Sequence, residues 1–201
     1  MRSDNVRGAA SGRCAGVLLA AGAGRRFGGP KALVELDGEA LLARAVRVLR
    51  DGGCAPVIAV LGAQAAKART LLPGDAVPVV AQDWDEGMGA SLRAGLAALP
   101  GHAPDADAAL VHLVDLPGAG APVVARLAAL AATDAVARAA YLGVAGHPVL
   151  FGRRWWQQIA EGASGDAGAR RWLAGRRDLR LVECGDLGSG HDVDRPGDLP
   201  G

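Results

Sequence analysis

Short runs that are apolar at every position alternate along this chain with longer stretches whose apolar residues recur at helical spacing. Residues 15–20 (AGVLLA), 56–61 (PVIAVL), 77–81 (VPVVA) and 108–114 (AALVHLV) predict strands buried on both faces. Leu41, Leu42, Ala45, Val46 and Leu49 share one helical face, and residues 65–72, 88–99 and 122–132 also predict helices. Strands without a polar face, separated by helices, predict a doubly wound, mostly parallel sheet flanked by helices in a three-layer α/β/α arrangement. Residues 136–151 break this rhythm and predict a hairpin at a sheet edge, turning at 143–146. A helix around 167–174 and a last strand near 179–184 follow. The alanine-rich stretch 125–140 reads as a packed helix and its exit.

Composition narrows the function classes. The 201 residues are 50% apolar and carry a formal net charge of +1, so no excess of cations is available to grip a nucleic-acid backbone. Aromatics make up only 3%, too few for a base-stacking platform. No apolar run is long enough to span a membrane. Three scattered cysteines, Cys14, Cys54 and Cys184, fit reduced thiols and a soluble, cytoplasmic protein. Residues 1–12 read as a flexible N-terminal tail and 13–201 as one domain. Its nucleotide-binding half covers about 14–117 and its acceptor-binding half about 118–201.

The loop after the first strand carries the most chemistry. Gly22, Gly24, Gly28 and Gly29 let backbone N–H groups approach an anion, and Arg25, Arg26 and Lys31 add positive charge. The chain has 20 arginines and two lysines, so a lysine closing this loop stands out. The spacing matches neither the dinucleotide fingerprint nor a Walker A loop. An ordinary tight turn is the plainer reading of the glycines alone. Asp115 ends an apolar strand, where an α/β sheet holds its ligands, and suits Mg2+ bridging to phosphate; a helix cap or turn role is the alternative. Asp192 and Asp194 alternate in an extended segment and could face one metal together, or else be solvated loop acids. Ser91 could cap a helix or offer its hydroxyl to a nucleobase edge, with Gly87 leaving room for the ring. His147, between Gly146 and Pro148, could donate to a phosphate or ring of an acceptor or sit in an exposed turn. His112, inside an apolar strand, reads as a satisfied core residue. One of the adjacent Trp155 and Trp156 is expected in the core and the other on the acceptor pocket. Arg153, Arg154, Arg170 and Arg171 could bind an anionic acceptor, but most of them read as solvated charge.

The loop 19–31 (LAAGAGRRFGGPK), together with 84–96 (WDEGMGASLRAGL), 113–117 (LVDLP), 146–151 (GHPVLF), 165–170 (GDAGAR) and 192–196 (DVDRP), resembles the MobA-like nucleotidyltransferases. Within them it most resembles the molybdenum cofactor cytidylyltransferases, because Ala20-Ala21-Gly22 stands where a guanylyl enzyme carries Ala-Gly-Gly. The resemblance runs from about residue 16 to 199. It implies a Rossmann-like nucleotidyltransferase fold and CMP transfer from CTP to a phosphorylated pterin, with pyrophosphate released. It implies catalytic Arg26, Lys31 and Asp115; Mg2+ on Asp115 and Asp194; nucleotide contacts at Ala20, Ala21, Gly22, Gly24, Gly87 and Ser91; and acceptor contacts at Gly146, His147 and Pro148. A molybdoenzyme or its chaperone is the implied protein partner. A guanylyltransferase is a variant of the same reading. Relatives that carry a nicotine blue oxidoreductase name supply a rival, NAD(P)H-dependent one, and cofactor delivery without catalysis supplies another.

Overall fold

The computed structural model describes residues 12–198. Of the expected tail only Gly12 is among them, its N–H donating to Ala131 O at 3.1 Å. Nine strands and six α-helices follow. The strands are β1 (Cys14–Ala20), β2 (Glu35–Leu36), β3 (Glu39–Ala40), β4 (Val57–Leu61), β5 (Ala76–Val80), β6 (Ala108–Leu113), β7 (Val136–Tyr141), β8 (Val144–Gly152) and β9 (Arg180–Glu183). The helices are α1 (Leu41–Asp51), α2 (Ala65–Arg69), α3 (Met88–His102), α4 (Ala121–Ala128), α5 (Trp156–Gly162) and α6 (Arg170–Leu173).

Seven strands form one sheet in the order β5-β4-β1-β6-β8-β7-β9. All pairings are parallel except those of β8, which runs against both β6 and β7. Every residue of β1 and β4 is buried, because helices cover both faces. On one face Leu42, Ala45 and Leu49 of α1 and Val123, Val124 and Leu127 of α4 pack on alternate strand residues such as Leu18 and Leu110. On the other, Leu92, Leu96 and Leu99 of α3 and Trp156 and Ile159 of α5 pack on Val17, Val111 and Val149. The three-layer α/β/α arrangement thus stands.

Several local expectations change. The helix from residue 65 stops at Arg69: Thr70 Oγ1 donates to Lys67 O at 2.8 Å, and Pro73 bars continuation. The helix around 167–174 is one 3-10 turn (Gly165–Ala167) and the short α6, separated by Gly168 at φ +50°. The end of the alanine-rich stretch, residues 136–140, belongs to a strand, since α4 ends at Ala128 and β7 starts at Val136. The hairpin turns at Leu142 and Gly143, φ +52° and +78°. The β2–β3 ribbon, turning through Asp37 and Gly38, was not foreseen. His112 is buried, but Nδ1 has no partner, and burial pushes its pKa down to about 3, so it stays neutral rather than satisfied. Trp156 is a core residue whose Nε1 donates to Phe151 O at 2.9 Å. Trp155 does not reach an acceptor pocket; it donates to Asp134 O and lies under the guanidiniums of Arg154 and Arg176.

Helix α3 can carry the site only because it lies close on the sheet. A Cβ at Gly95 would come within 2.6 Å of Val17 Cγ1 and 3.0 Å of Val60 Cγ2. Alanine at this helical position gains about 1 kcal/mol of propensity, but overpacking against stiff valines costs about 1–3 kcal/mol. Gly95→Ala is therefore expected to lower the melting temperature in a thermal melt; a higher melting temperature would mean that the helix has room to retreat.

Candidate active site

A cleft of about 430 Å3 opens beyond the carboxyl ends of β1 and β6, where an α/β sheet places its ligands. One wall is the loop after β1, from Ala21 to Phe27, closed by Lys31. The other contains Trp84, Gly87, Met88 and Ser91 at the start of α3, with Leu19 and Leu113 on the apolar floor. Asp85, Asp115, Asp166 and Asp194 supply its carboxylates.

The glycine loop divides into two parts. The N–H groups of Phe27, Gly28 and Gly29 all donate to Gly24 O, at 2.9, 2.9 and 3.2 Å. They are spent on folding the loop rather than available to an anion. Gly24 sits at φ +59°, and a Cβ there would collide with Gly29 O, so this turn requires glycine. The N–H groups of residues 22–26 have no acceptor among the described residues. These line the cleft and remain for a ligand. Pro30, at φ −58°, leads into a 3-10 turn that starts with Lys31.

Lys31 joins three distant parts of the chain. Its Nζ donates to Asp115 Oδ2 at 2.9 Å and to Asp194 Oδ1 at 2.7 Å. Arg26 meets the other oxygen of Asp194 at 3.1 Å. The C-terminal segment is fixed by Val193 N–H donating to Asp115 O, and by Asp194 and Arg195 N–H both donating to Asp198 Oδ2. Burial pulls the lysine's pKa down, but its bonds to Asp194 and Asp115 outweigh that and raise it above its ordinary 10.5. The lysine hydrogen bond, with Arg26 adding, holds Asp194 below its ordinary 3.8. What Asp194 adds to stability is present above pH 3.8 and lost as the pH falls through its depressed pKa. The lysine's share is present below pH 10.5 and lost as the pH rises through its raised pKa. The contact is therefore intact between those limits.

The two carboxylates already converge on one cation, which is what a divalent ion needs. Hard oxygen donors suit Mg2+ or Mn2+, which complete their shells with water and phosphate oxygens. No group of three metal-ligating side chains occurs among the described residues, so such an ion would depend on its nucleotide for further ligands.

Other expected site residues lie at varied depths. Ala20 is in the core and does not line the cleft, whereas buried Ala21 does. Ser91 is buried in the interior of α3, not at its cap, which is Gly87. Gly87 has φ +111°, and the space its Cβ would fill belongs to Gly165 and Asp166 rather than to a ring. Asp192 is exposed and does not line the cleft, whereas Asp194 does and bonds Lys31, so the structure brings only one of the two aspartates to the site.

Gly146 and His147 lie beside a second, smaller cavity of about 70 Å3, which shares Leu19 and Met88 with the cleft. Its polar lining is His147, Arg138 and Arg170, set among apolar residues that include Leu92, Val149, Phe151 and Leu173. Gly146 O accepts from Arg138 Nε at 2.6 Å, His147 O accepts from Tyr141 OH at 2.9 Å, and Pro148 is buried. Burial, then Arg138 and Arg170, push His147 down to about 4, so at neutral pH it is an uncharged imidazole. Trp84 and Asp166 lie within sequence motifs and yet had been given no role. Arg138 was hidden in the alanine-rich stretch.

A family model described as a MobA-like NTP transferase domain matches residues 16–182. The chain is 41% identical over 190 residues to a nicotine blue oxidoreductase of Paenarthrobacter nicotinovorans, covering 89% of this chain and 91% of that protein. It is 42% identical over 84 residues to a probable molybdenum cofactor guanylyltransferase of Opitutus terrae, covering 42% and 38%. Among solved structures, Rv0371c of Mycobacterium tuberculosis H37Rv superposes with a TM-score of 0.79 at 26% identity, over 94% of this chain and 96% of that one. The same protein in complex with manganese gives 0.69 at 27% identity, over 85% and 88%. No helix among the described residues is long and apolar enough to cross a membrane.

Lys31 and a divalent ion compete for the same pair of carboxylates. Lys31→Ala is therefore expected to bind Mn2+ about tenfold more tightly than the unaltered protein when no nucleotide is present, ~1.4 kcal/mol of relieved competition. Titration followed by Mn2+ paramagnetic resonance reads this directly; equal or weaker binding would separate the lysine from the ion site.

Proposed function

The chain belongs to the MobA-like NTP transferase family, and from that membership we propose that it transfers a nucleoside monophosphate from a nucleoside triphosphate to a phosphorylated acceptor. CTP is the proposed donor and a molybdopterin-type pterin the proposed acceptor. The observation that carries this reading is the ammonium of Lys31 held between Asp115 and Asp194 beside a loop with unspent N–H groups.

In the proposed reaction an acceptor phosphate oxygen forms a bond to the α-phosphorus. The bond from that phosphorus to the bridging oxygen breaks in line, and pyrophosphate leaves with the electron pair. The acceptor phosphate is already ionised at neutral pH, so no side chain need remove a proton. A divalent ion, Mg2+ in this reading, held by Asp115 and Asp194 would neutralise phosphate oxygens. Arg26, Lys31 and the N–H groups of Gly22 to Arg26 hold the β- and γ-phosphates and stabilise the charge that builds on the leaving group. The base lies toward Ala21 and Ser91, where a small side chain allows close approach and a hydroxyl reads a base edge, while Gly87 lines the cleft beside them and makes room for Gly165 and Asp166. Residues 14–117 then form the nucleotide half and 118–201 the acceptor half, with Gly146 to Pro148 on the acceptor side. A cytoplasmic setting and a molybdoenzyme or its chaperone as recipient belong to the same proposal.

A second reading has a specific observation behind it: the relative at 41% identity is named for an oxidoreductase. The three cysteines here are buried, unpaired and outside the cleft, so none can serve as a redox centre there. A nicotinamide would have to enter the same cleft. The relative named for a guanylyltransferase keeps GTP in the comparison.

With Mg2+, CTP is expected to raise the melting temperature most among the four NTPs. Stabilisation reaches about 2.7 kcal/mol at a hundred times the dissociation constant. Asp115→Ala removes the shift. A larger shift with GTP moves the assignment to guanylyl transfer; a flat response, with NADPH oxidised and no pyrophosphate formed, favours the oxidoreductase.

A further inference from the structure

The second cavity brings two arginines together with no carboxylate among its lining residues. Arg13, Arg26, Arg44, Arg47, Arg50, Arg93, Arg126 and Arg176 each have a carboxylate partner. Arg138 and Arg170 both line this cavity, and neither forms an ion pair among the described residues. Arg138 is half-buried, and its only hydrogen-bond partner among the described residues is the carbonyl of Gly146, bonded through Nε. Burial, with Arg170 adding, lowers its pKa, so the two guanidiniums repel each other across an unneutralised space. The Arg138 charge is half withdrawn from water, which favours pairing, and no carboxylate among the described residues pairs with it. The exposed Arg170 adds a second positive charge at the mouth of the same space. The neutral His147 adds a ring N–H donor or acceptor without adding charge. At about 70 Å3 the space takes a few water-sized groups, enough for one oxyanion and too little for a ring system.

We propose that Arg138 and Arg170, with His147, form the seat for the phosphate monoester of the acceptor, recognised as a dianion. This rests on the reading of the adjoining cleft as a nucleotidyl-transfer site. Two guanidiniums match a dianion in charge, and each fork can take two oxygens. The placement also answers a physical difficulty of the reaction. An anionic acceptor must approach a triphosphate that is itself strongly negative, and cations on the acceptor's side offset that repulsion. Met88 stands between the two spaces and lines both.

The test titrates inorganic phosphate into 15N-labelled protein and follows the amides of Gly146, His147 and Gly168 to Arg170. In the unaltered protein these amides are expected to shift and saturate. Arg138→Gln and Arg170→Gln are each expected to weaken phosphate binding at these amides about tenfold or more, the loss of one charge-assisted contact. Arg170 is exposed and has no described side-chain hydrogen bond, so its replacement leaves the fold intact and remains informative should Arg138→Gln unfold. Lys31→Ala should leave this binding unchanged, which separates it from phosphate held by the nucleotide loop. Acetate should bind more weakly than phosphate. No shift at these amides, unchanged affinity in both arginine variants, a loss confined to Lys31→Ala, or acetate binding as tightly as phosphate would each overturn the inference. Titration of CTP and GTP into the same proteins reports on the nucleotide site separately: nucleotide binding without phosphate binding removes only this seat, and phosphate binding without nucleotide binding removes the transferase reading and with it the acceptor as the seat's occupant, leaving an oxyanion site.

Discussion

One ammonium organises the functional end of this molecule. Lys31 comes from the loop after β1, Asp115 from the end of β6, and Asp194 from the C-terminal segment, and they meet within 2.9 Å. Burying a lysine is costly unless its charge is answered, and two carboxylates answer it. The same pair would be mutually repulsive without a cation. The arrangement is therefore satisfied with the lysine in place and can be satisfied again by a divalent ion arriving with phosphates, provided the lysine moves to the phosphates. A site that must exchange one cation for another is held together by the charge its ligand uses.

The fold makes this meeting possible through direction rather than through size. Parallel β1 and β6 end at the same edge of the sheet, so their following loops face each other across the cleft. The reversed strand β8 then matters. Because it runs against β6, with Val149 opposite Val111, its first residues lie near the end of β6. That brings Gly146 and His147 to the edge that holds the glycine loop. Strand β7, pairing Arg138 with Val149, adds its arginine beside them. A strictly parallel continuation would have put the start of β8 at the opposite edge.

The parts legible in the sequence were those set by burial over several residues. Runs such as 15–20 and 56–61 admit no polar face, and β1 and β4 lie where those runs predict. The meeting of Lys31 with Asp115 was half-legible: each side chain could be singled out by type and neighbourhood. That the lysine would rest on the acids, rather than leave them to a metal, depends on three-dimensional distance. Spacing alone also misled. Asp192 and Asp194 alternate as a pair should, yet only Asp194 lines the cleft and meets Lys31, a choice set by three-dimensional distance and not by spacing. The glycine loop disclosed its flexibility but not that Gly24 O would consume three of its N–H groups. Arg138 was hidden by composition, a single charge among alanines whose partner carbonyl comes from the next strand.

The account stands on the two aspartates being a cation site that Lys31 shares with a metal. Crystals grown with nucleotide and manganese, measured at the manganese absorption edge, examine that claim most directly. The expected result is one anomalous peak between Asp115 and Asp194, with phosphate oxygens beside it and the lysine ammonium moved from the acids onto the phosphates. A bound nucleotide with no anomalous peak there, and Lys31 still bonded to both carboxylates, would contradict it.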